Sequence, residues 1–246
     1  MHLRFSGAAA AAYDAGRAAY VPEVLAAMEL PAAPARVLDL AAGTGLLSRA
    51  LLAAGYQVVA VEPDPDMASR GPAEAERVSG TAEATGIADS SVDAVVVGDA
   101  WHWVDPPAAA AEVHRVLRPR GRLALVWRGS IPKERPAGLL AYYALLHGAR
   151  GLDHPAFASE RGRWEDGRGR GALAAHPGFA PLLHAEVRFG HRTDAEGLLA
   201  EAASASYVNT MDEREAFLAD LRDALHDVGP LTIPYAAEVW RTTRRR

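Results

Sequence analysis

Short apolar runs alternate with longer amphipathic stretches along the first half of the chain. Apolar runs predict strands at 36–40, 57–61, 92–97 and 122–127, with a weaker strand at 77–80. Apolar residues recur at helical spacing between these runs, chiefly over 46–54 and 105–117. The strand runs are nearly continuous, which is typical of parallel strands covered on both faces. The pattern therefore predicts an α/β fold with a doubly wound, mainly parallel sheet.

The ends of the chain carry a different pattern. An Ala-rich stretch over 8–30 predicts one helix, with Tyr13, Arg17 and Tyr20 on one face, as a capping helix or as a lid over a ligand. The second half predicts helices at 139–147, 193–207 and 210–225 and strands at 184–190 and 233–240. Proline cannot donate to a ladder, so we expect Pro234 to lie at a sheet edge or outside the ladder.

The composition excludes several classes of function. The chain has 246 residues, half of them apolar, and a net charge of −5, so nothing draws it generally to nucleic acid or anionic membranes. Cysteine is absent, which removes disulfides, cysteine zinc sites and thiol nucleophiles, and no metal is expected. No signal-peptide core or run of about 20 apolar residues occurs, so a cytoplasmic protein without a membrane segment is expected. The Gly- and Arg-rich stretch 148–171 is interpreted as a mobile surface loop rather than an RNA-binding segment.

The turn after the first predicted strand carries the strongest chemical information. Gly43 and Gly45 allow positive φ and let a ligand approach the backbone. Asp39 lies on the strand itself, where a carboxylate can face a positive charge. Glu62 follows the second predicted strand, near the spacing at which an acid binds a ribose diol. Because Ser48 stands where a dinucleotide fingerprint would have its third glycine, a ligand with an adenosine part and a cationic group fits better than a dinucleotide.

A second cluster follows the fourth predicted strand, where ligands bind in such sheets. Trp101, His102 and Trp103 are consecutive there, and two tryptophans around a histidine are unusual in a plain connection. Asp105-Pro106-Pro107 is similar to a motif of enzymes that methylate bases. Asp105 as a helix N-cap, with proline in the first turn, is the better interpretation.

These motifs resemble the class I S-adenosylmethionine-dependent methyltransferases. Within them the chain is similar to the methyltransferase type 11 group, related to ubiquinone/menaquinone-biosynthesis and trans-aconitate methyltransferases. The resemblance rests on residues 37–45, 61–64, 81–83, 99–103 and 117–123. It implies a Rossmann-like sheet of seven strands with the last antiparallel, plus a helical cap. The implied plan is one domain over 1–246: a lid (1–35), a cofactor-binding core (36–128), a cap or insertion (129–181) and a C-terminal part (182–246).

The resemblance also implies a set of site residues. The expected cofactor-binding residues are Tyr13, Arg17, Asp39, Ala41, Gly43, Gly45, Glu62, Pro63, Met67, Thr81, Ala82, Glu83, Asp99, Ala100 and Trp101. The expected substrate-binding residues are Tyr20, Trp103 and Tyr143. Ala41 replaces the first glycine of the family's turn, and Thr81 stands where many relatives have aspartate. His102 is the expected catalytic residue, as a general base, unless it only braces its loop.

The implied activity is methyl transfer from S-adenosylmethionine to an oxygen, nitrogen or carbon atom of a small molecule, leaving S-adenosylhomocysteine. The reaction needs nucleophile, methyl and sulfur in line more than it needs a protein catalyst. We expect no nucleic-acid or membrane partner and a monomer or homodimer. Two alternatives remain open: a non-catalytic S-adenosylmethionine-binding protein and, less favoured, an NAD(P)-dependent oxidoreductase.

Overall fold

A computed structural model describes residues 7–149 and 168–246, without the side chains of 168–170. Its strands are β1 (Arg36–Leu40), β2 (Gln57–Val61), β3 (Glu76–Val78), β4 (Val92–Gly98), β5 (Leu117–Ser130), β6 (Leu183–Thr193) and β7 (Leu231–Thr243). They form one seven-stranded sheet in the order β3-β2-β1-β4-β5-β7-β6. The Gly- and Arg-rich stretch 148–171, which the sequence predicts to be a surface loop, lies largely within 150–167, outside the described residues.

The direction of the strands agrees with the predicted architecture. Strands β1 to β5 pair in parallel, with Leu40 beside Val61 and Gly98 beside Val126. Strand β7 runs antiparallel: the amide of Arg120 donates to Arg244, whereas the amide of Ile131, further along the chain, donates to Pro234. The prediction of a doubly wound sheet with an antiparallel last strand is confirmed.

Helices connect the strands. They are α1 (Gly7–Gly16), α2 (Pro22–Ala27), α3 (Leu46–Ala53), α4 (Pro65–Ala68), α5 (Pro106–Val116), α6 (Leu140–Ala149), α7 (Arg168–Ala175), α8 (Ala195–Ala203), α9 (Ser206–Asn209) and α10 (Arg214–Ala224). The described residues include no helix long and apolar enough to cross a membrane. The cap at α5 is confirmed, because Asp105 Oδ1 accepts a hydrogen bond of 3.2 Å from the amide of Ala108.

Several predicted elements were wrong. The single helix over 8–30 is two helices, because Pro22 lacks an amide hydrogen and begins α2 instead of continuing α1. The helix predicted from 193 is capped by Asp194, not Thr193, and ends at Ala203.

Pro234 lies within β7, an inner strand, and not at an edge. A missing amide hydrogen affects one side of a strand only, and the carbonyl of Pro234 still accepts from Ile131 at 2.9 Å.

The described residues divide into two compact units. One comprises 7–18, 129–149 and 188–236, and the other comprises 19–128, 168–187 and 237–246. The second unit contains β1 to β4, and its core includes Leu38, Val95 and Leu123. The first has a core of its own around Tyr142, Leu198 and Leu221.

Candidate functional site

The parallel register brings the predicted chemistry to one edge of the sheet. Asp39 lies near the carboxyl end of β1, and Glu62 and Asp99 directly follow β2 and β4. Trp127 comes directly after Val126, the partner of Gly98 on β5. Ligands of doubly wound sheets bind outside the carboxyl ends of strands, where the strand order reverses. In this sheet that point lies between β1, which carries Asp39, and β4, which is followed by Asp99.

The turn after β1 is held in left-handed backbone conformations. Ala41, Gly43 and Gly45 have φ of 56°, 57° and 80°. At Ala41 this conformation costs about 1–2 kcal/mol, because its Cβ crowds the following carbonyl oxygen. Gly45 cannot be replaced without movement, since a Cβ there would lie 2.5 Å from Cδ of Pro72. The turn retains its shape although alanine stands in place of the family's first glycine.

Asp39 is a buried carboxyl group, with 1% of its surface exposed. Ser48 on α3 donates its hydroxyl hydrogen to Asp39 Oδ2 at 2.6 Å. Burial raises the pKa of Asp39 to about 7, against the opposing effect of the Ser48 hydrogen bond, and the charge of Glu62 raises it further. The folded protein therefore contains a carboxyl group that becomes readily ionised when a cation approaches it.

Glu62 is fixed by the backbone on both of its oxygens. Oε2 accepts from the amide of Gly43 at 2.8 Å, and Oε1 accepts from the amide of Asp64 at 2.9 Å. Burial raises the pKa of Glu62, although both amide bonds lower it. The first bond joins the end of β2 to the glycine turn, so the expected ribose acceptor and the turn form one rigid unit.

The residues after Glu62 complete this corner. Pro63 leads to Asp64, which caps α4 by accepting from the amide of Met67 at 3.3 Å. Met67 is buried against the turn, and a Cβ on Gly43 would lie 3.3 Å from its Cε.

The expected adenine segment forms a tight turn of its own. The amide of Thr81 donates to the carbonyl of Ala84 at 3.1 Å, and Ala82 is buried in the core. Glu83 Oε1 accepts from the amide of Asp105 at 2.8 Å. Glu83 thus holds the entry to α5, while its predicted contact with the cofactor stays a prediction.

The tryptophan–histidine segment forms a turn of 3₁₀ helix at Trp101–Trp103, after Ala100. Trp101 is buried in the core, whereas Trp103 is 42% exposed. His102 is half-buried between them, and its Nδ1 accepts a hydrogen bond of 3.4 Å from Nε1 of Trp127. Trp101 therefore supports the loop from the core, whereas Trp103 faces solvent.

Asp99 forms a nearly buried ion pair with Arg128. Its Oδ1 accepts from the amide of Arg128 at 2.8 Å, and its Oδ2 accepts from the guanidinium Nη2 at 2.7 Å. The Arg128 guanidinium carbon lies 3.5 Å from the centre of the Tyr20 ring, and the Tyr20 hydroxyl donates to Asp99 Oδ2 at 3.4 Å. A Cβ on Gly98 would lie 2.0 Å from that hydroxyl, so the phenol lies directly over the end of β4.

Tyr13, Arg17 and Tyr143 belong to the other unit, and Tyr20 does not. The expected shared helical face of Tyr13, Arg17 and Tyr20 is absent, because α1 ends at Gly16. The guanidinium carbon of Arg17 lies 4.9 Å from the centre of the Tyr13 ring, and that of Arg135 lies 3.9 Å from the Tyr143 ring. Their roles toward a ligand stay predictions.

Two buried polar atoms near the sheet edge lack a partner among residues 7–149 and 168–246. They are Oγ1 of Thr44, in the glycine turn, and Nε1 of Trp101. A buried polar group without a hydrogen bond costs about 1–3 kcal/mol. Both atoms are sealed from solvent, so a ligand could reach them only if the surrounding side chains moved.

The sequence analysis missed the roles of Ser48, Trp127 and Arg128. Ser48 was noted only because it stands where a dinucleotide fingerprint would have its third glycine. Arg128 follows an apolar run at the carboxyl end of a predicted strand, and the same positional rule that drew attention to Asp39 and Glu62 could have identified it.

The chain is similar to known methyltransferases. A family model described as a methyltransferase domain matches residues 38–125. An uncharacterised methyltransferase of Mycobacterium bovis is 52% identical over 130 residues, which are 52% of this chain and 53% of that protein. The match thus spans about half the length of that relative.

Two further comparisons extend over more of the chain. The ubiquinone/menaquinone biosynthesis C-methyltransferase of Rubrivivax gelatinosus is 30% identical over 189 residues, covering 72% of this chain and 75% of that protein. A solved structure from Anaeromyxobacter dehalogenans, assigned to the type II methyltransferases, has a TM-score of 0.63 at 22% identity and covers 93% of this chain and 97% of its own. The latter likeness concerns the fold.

Proposed function

The chain belongs to the S-adenosylmethionine-dependent methyltransferase family, and we propose that it transfers the methyl group of S-adenosylmethionine to a small-molecule acceptor. The observation that carries the proposal is the pair of carboxyl groups on either side of the glycine turn. Asp39 is buried at the end of β1, and Glu62 is fastened to Gly43 at the end of β2. One acid is suited to a cationic group and the other to a sugar diol, which together describe this cofactor.

The residues of this corner fit the cofactor by charge and hydrogen bonding. Asp39 would hold the methionine ammonium group, and Glu62 would accept from the ribose hydroxyls, as charge-assisted bonds to a carboxylate are strong. Thr81, Ala82 and Glu83 would border the adenine.

The bound cofactor supplies an electrophilic methyl group on a sulfonium cation. The chain's contribution is to orient the acceptor and to exclude water, because alignment alone is worth several kcal/mol in such a displacement. Tyr20 lies over the end of β4 and is held there by Arg128 and Asp99. We assign Tyr20 and the exposed Trp103 to the acceptor side, while the expected substrate role of Tyr143 stays a prediction.

Thermal unfolding with S-adenosylhomocysteine tests the binding step. At a concentration of one hundred times the dissociation constant, the free energy of unfolding should rise by about 2.7 kcal/mol. The control is NAD at the same concentration, which should produce no shift. A shift with NAD and none with S-adenosylhomocysteine would reverse the assignment in favour of an oxidoreductase.

Turnover is tested separately, with radiolabelled S-adenosylmethionine and a panel of carboxylic acids, phenols, amines and activated methylene compounds. We expect labelled product from at least one class and none from short nucleic acids. Cofactor binding without product from any acceptor would favour the alternative, a non-catalytic S-adenosylmethionine-binding protein.

A further inference from the structure

Strand β6 forms one edge of the sheet, and no other strand within residues 7–149 and 168–246 covers its outer side. It has 11 residues, whereas strands usually have about five or six. An edge strand presents a row of amide hydrogens and carbonyl oxygens that can pair with a further strand. The opposite edge, β3, has 3 residues and offers little of such a row. Pairing with another chain is therefore expected at β6.

The pairing of β7 identifies which backbone groups of β6 face outward. The carbonyl of Pro234 accepts a hydrogen bond from the amide of Ile131, directly after β5, so the backbone of Pro234 faces β5. Backbone direction alternates along a strand, so the backbone of the next residue, Tyr235, faces β6. The ring centre of Phe189 lies 5.8 Å from that of Tyr235, so both side chains lie on one face of the strand pair. The backbone of Phe189 therefore faces β7, and the residues on either side of it face outward.

The outward-facing residues around Phe189 are exposed, and they are Glu186, Arg188, Gly190 and Arg192. Arg188 forms an ion pair with Glu134 of the same chain. Neither Glu186 nor Arg192 has an ion-pair partner in the part of the chain that the structure describes. The edge thus presents one acid and one base, at equal distances from Phe189 along the strand, whose charges are left for a partner.

We infer that β6 pairs with β6 of a second copy of this chain, antiparallel, with Phe189 opposite Phe189 on a two-fold axis. In this register Glu186 of each copy lies opposite Arg192 of the other. Arg188, already in an ion pair, lies opposite Gly190, which brings no charge near it. Opposite charges and aromatic rings placed directly across an antiparallel pair stabilise it. The outward-facing residues exchange about eight backbone hydrogen bonds in this pairing.

Other registers of the same two strands match the charges less well. A two-fold axis at Arg188 or at Gly190 would bring arginines together, and an axis at Glu186 would bring two glutamates together. Like charges directly opposite one another destabilise a strand pair. An axis at Val187 would place Glu186 opposite Arg188, which is already in an ion pair. Only the axis at Phe189 brings together the two charges that have no partner within the described chain.

Disulfide crosslinking tests this register. The chain contains no cysteine, so Phe189→Cys introduces a single thiol. Opposite residues whose backbones face away from each other have Cα atoms about 4.5 Å apart, which a disulfide can span. We expect Phe189→Cys to form a linked dimer on non-reducing gels after mild oxidation, and the control Val187→Cys to stay unlinked. Linkage through Val187→Cys, or none through Phe189→Cys, would overturn the register.

Sedimentation equilibrium at micromolar concentrations tests the dimer itself. We expect the parent protein to dimerise, and Arg192→Glu or Glu186→Arg to raise the dimer dissociation constant about tenfold or more, because each places like charges opposite one another. The double variant restores opposite charges and should return to within about threefold of the parent. The control Arg222→Glu changes the net charge equally at an exposed position on α10 and should leave the dimer unchanged.

Two outcomes of this experiment would contradict the inference. A parent protein that stays monomeric would leave the β6 edge without a second copy. A dimer that neither single reversal weakens would have its interface on another surface. All of these measurements are made without ligand, so their result does not depend on the proposed methyl transfer.

Discussion

The buried carboxyl group of Asp39 makes cofactor affinity depend on pH. Its pKa is about 7 in the folded protein, because burial disfavours the charged form. A methionine ammonium group binds the ionised carboxylate. About one tenth of the Asp39 side chains are ionised at pH 6, and about nine tenths at pH 8. The affinity for S-adenosylhomocysteine should therefore fall about tenfold from pH 8 to pH 6, and binding at pH 6 should release about 0.9 protons.

Isothermal titration calorimetry measures both quantities. Titrations at pH 6, 7 and 8, each in two buffers of different ionisation enthalpy, give the affinity and the number of protons released. The control is Asp39→Asn, which is isosteric and cannot ionise. Its affinity should be weaker at pH 8 and nearly constant over this range.

Glu62 also has a raised pKa and requires a control of its own. Glu62→Gln should bind more weakly at every pH and keep a pH dependence produced by Asp39, moved to lower pH because the charge of Glu62 no longer raises the pKa of Asp39. An affinity of the parent protein that does not change between pH 6 and pH 8 would refute the assignment of Asp39 to the ammonium group. If the affinity of Glu62→Gln did not depend on pH while that of Asp39→Asn did, the ammonium group would instead be assigned to Glu62.

Three further predictions follow from the same edge of the sheet. The pKa of Asp39 is raised from 3.8 to about 7 in the folded protein, so its contribution to stability is complete below pH 3.8 and is lost as the pH rises through 7. In urea unfolding without ligand, the free energy of unfolding of Asp39→Asn relative to the parent should therefore increase by up to about 4 kcal/mol between pH 4 and pH 8. Glu62→Ala should weaken S-adenosylhomocysteine binding tenfold or more in calorimetry, and unchanged affinity would contradict the ribose role. Arg128→Met should cost about 3–5 kcal/mol in urea unfolding by leaving Asp99 buried and unpaired, and adding Asp99→Asn should recover much of it; no recovery would contradict the ion pair as the cause.

Local rules predicted the parts of the fold that short segments determine. The runs that became β1, β2 and β4 are mostly apolar, and Asp105 before two prolines determines the start of α5 by its own hydrogen bond. The sequence could predict Asp39 and Glu62 as site residues because both belong to the same strand–helix–strand unit as the glycine turn. Their spacing from that turn in the sequence is therefore fixed.

Long-range contacts account for what could not be predicted. Pro234 looked like an edge residue, but the place of β7 depends on pairing with β5, more than a hundred residues earlier. Asp99 was expected to bind the cofactor by its position after β4. Its pairing with Arg128 depends on the register of β5, which no local pattern contains.

The Asp99–Arg128 pair also explains how an arginine can lie at an edge suited to a cation. Arg128 has 3% of its side chain exposed, and an unpaired buried guanidinium would repel both the sulfonium and the ammonium of the cofactor. Asp99 cancels that charge and has a φ of 52°, a conformation that costs of order 1–3 kcal/mol in a residue other than glycine. With this pair neutral, Asp39 and Glu62 give the edge a negative potential that favours a cationic ligand. The guanidinium keeps its other effect, which is to hold the Tyr20 ring over the end of β4.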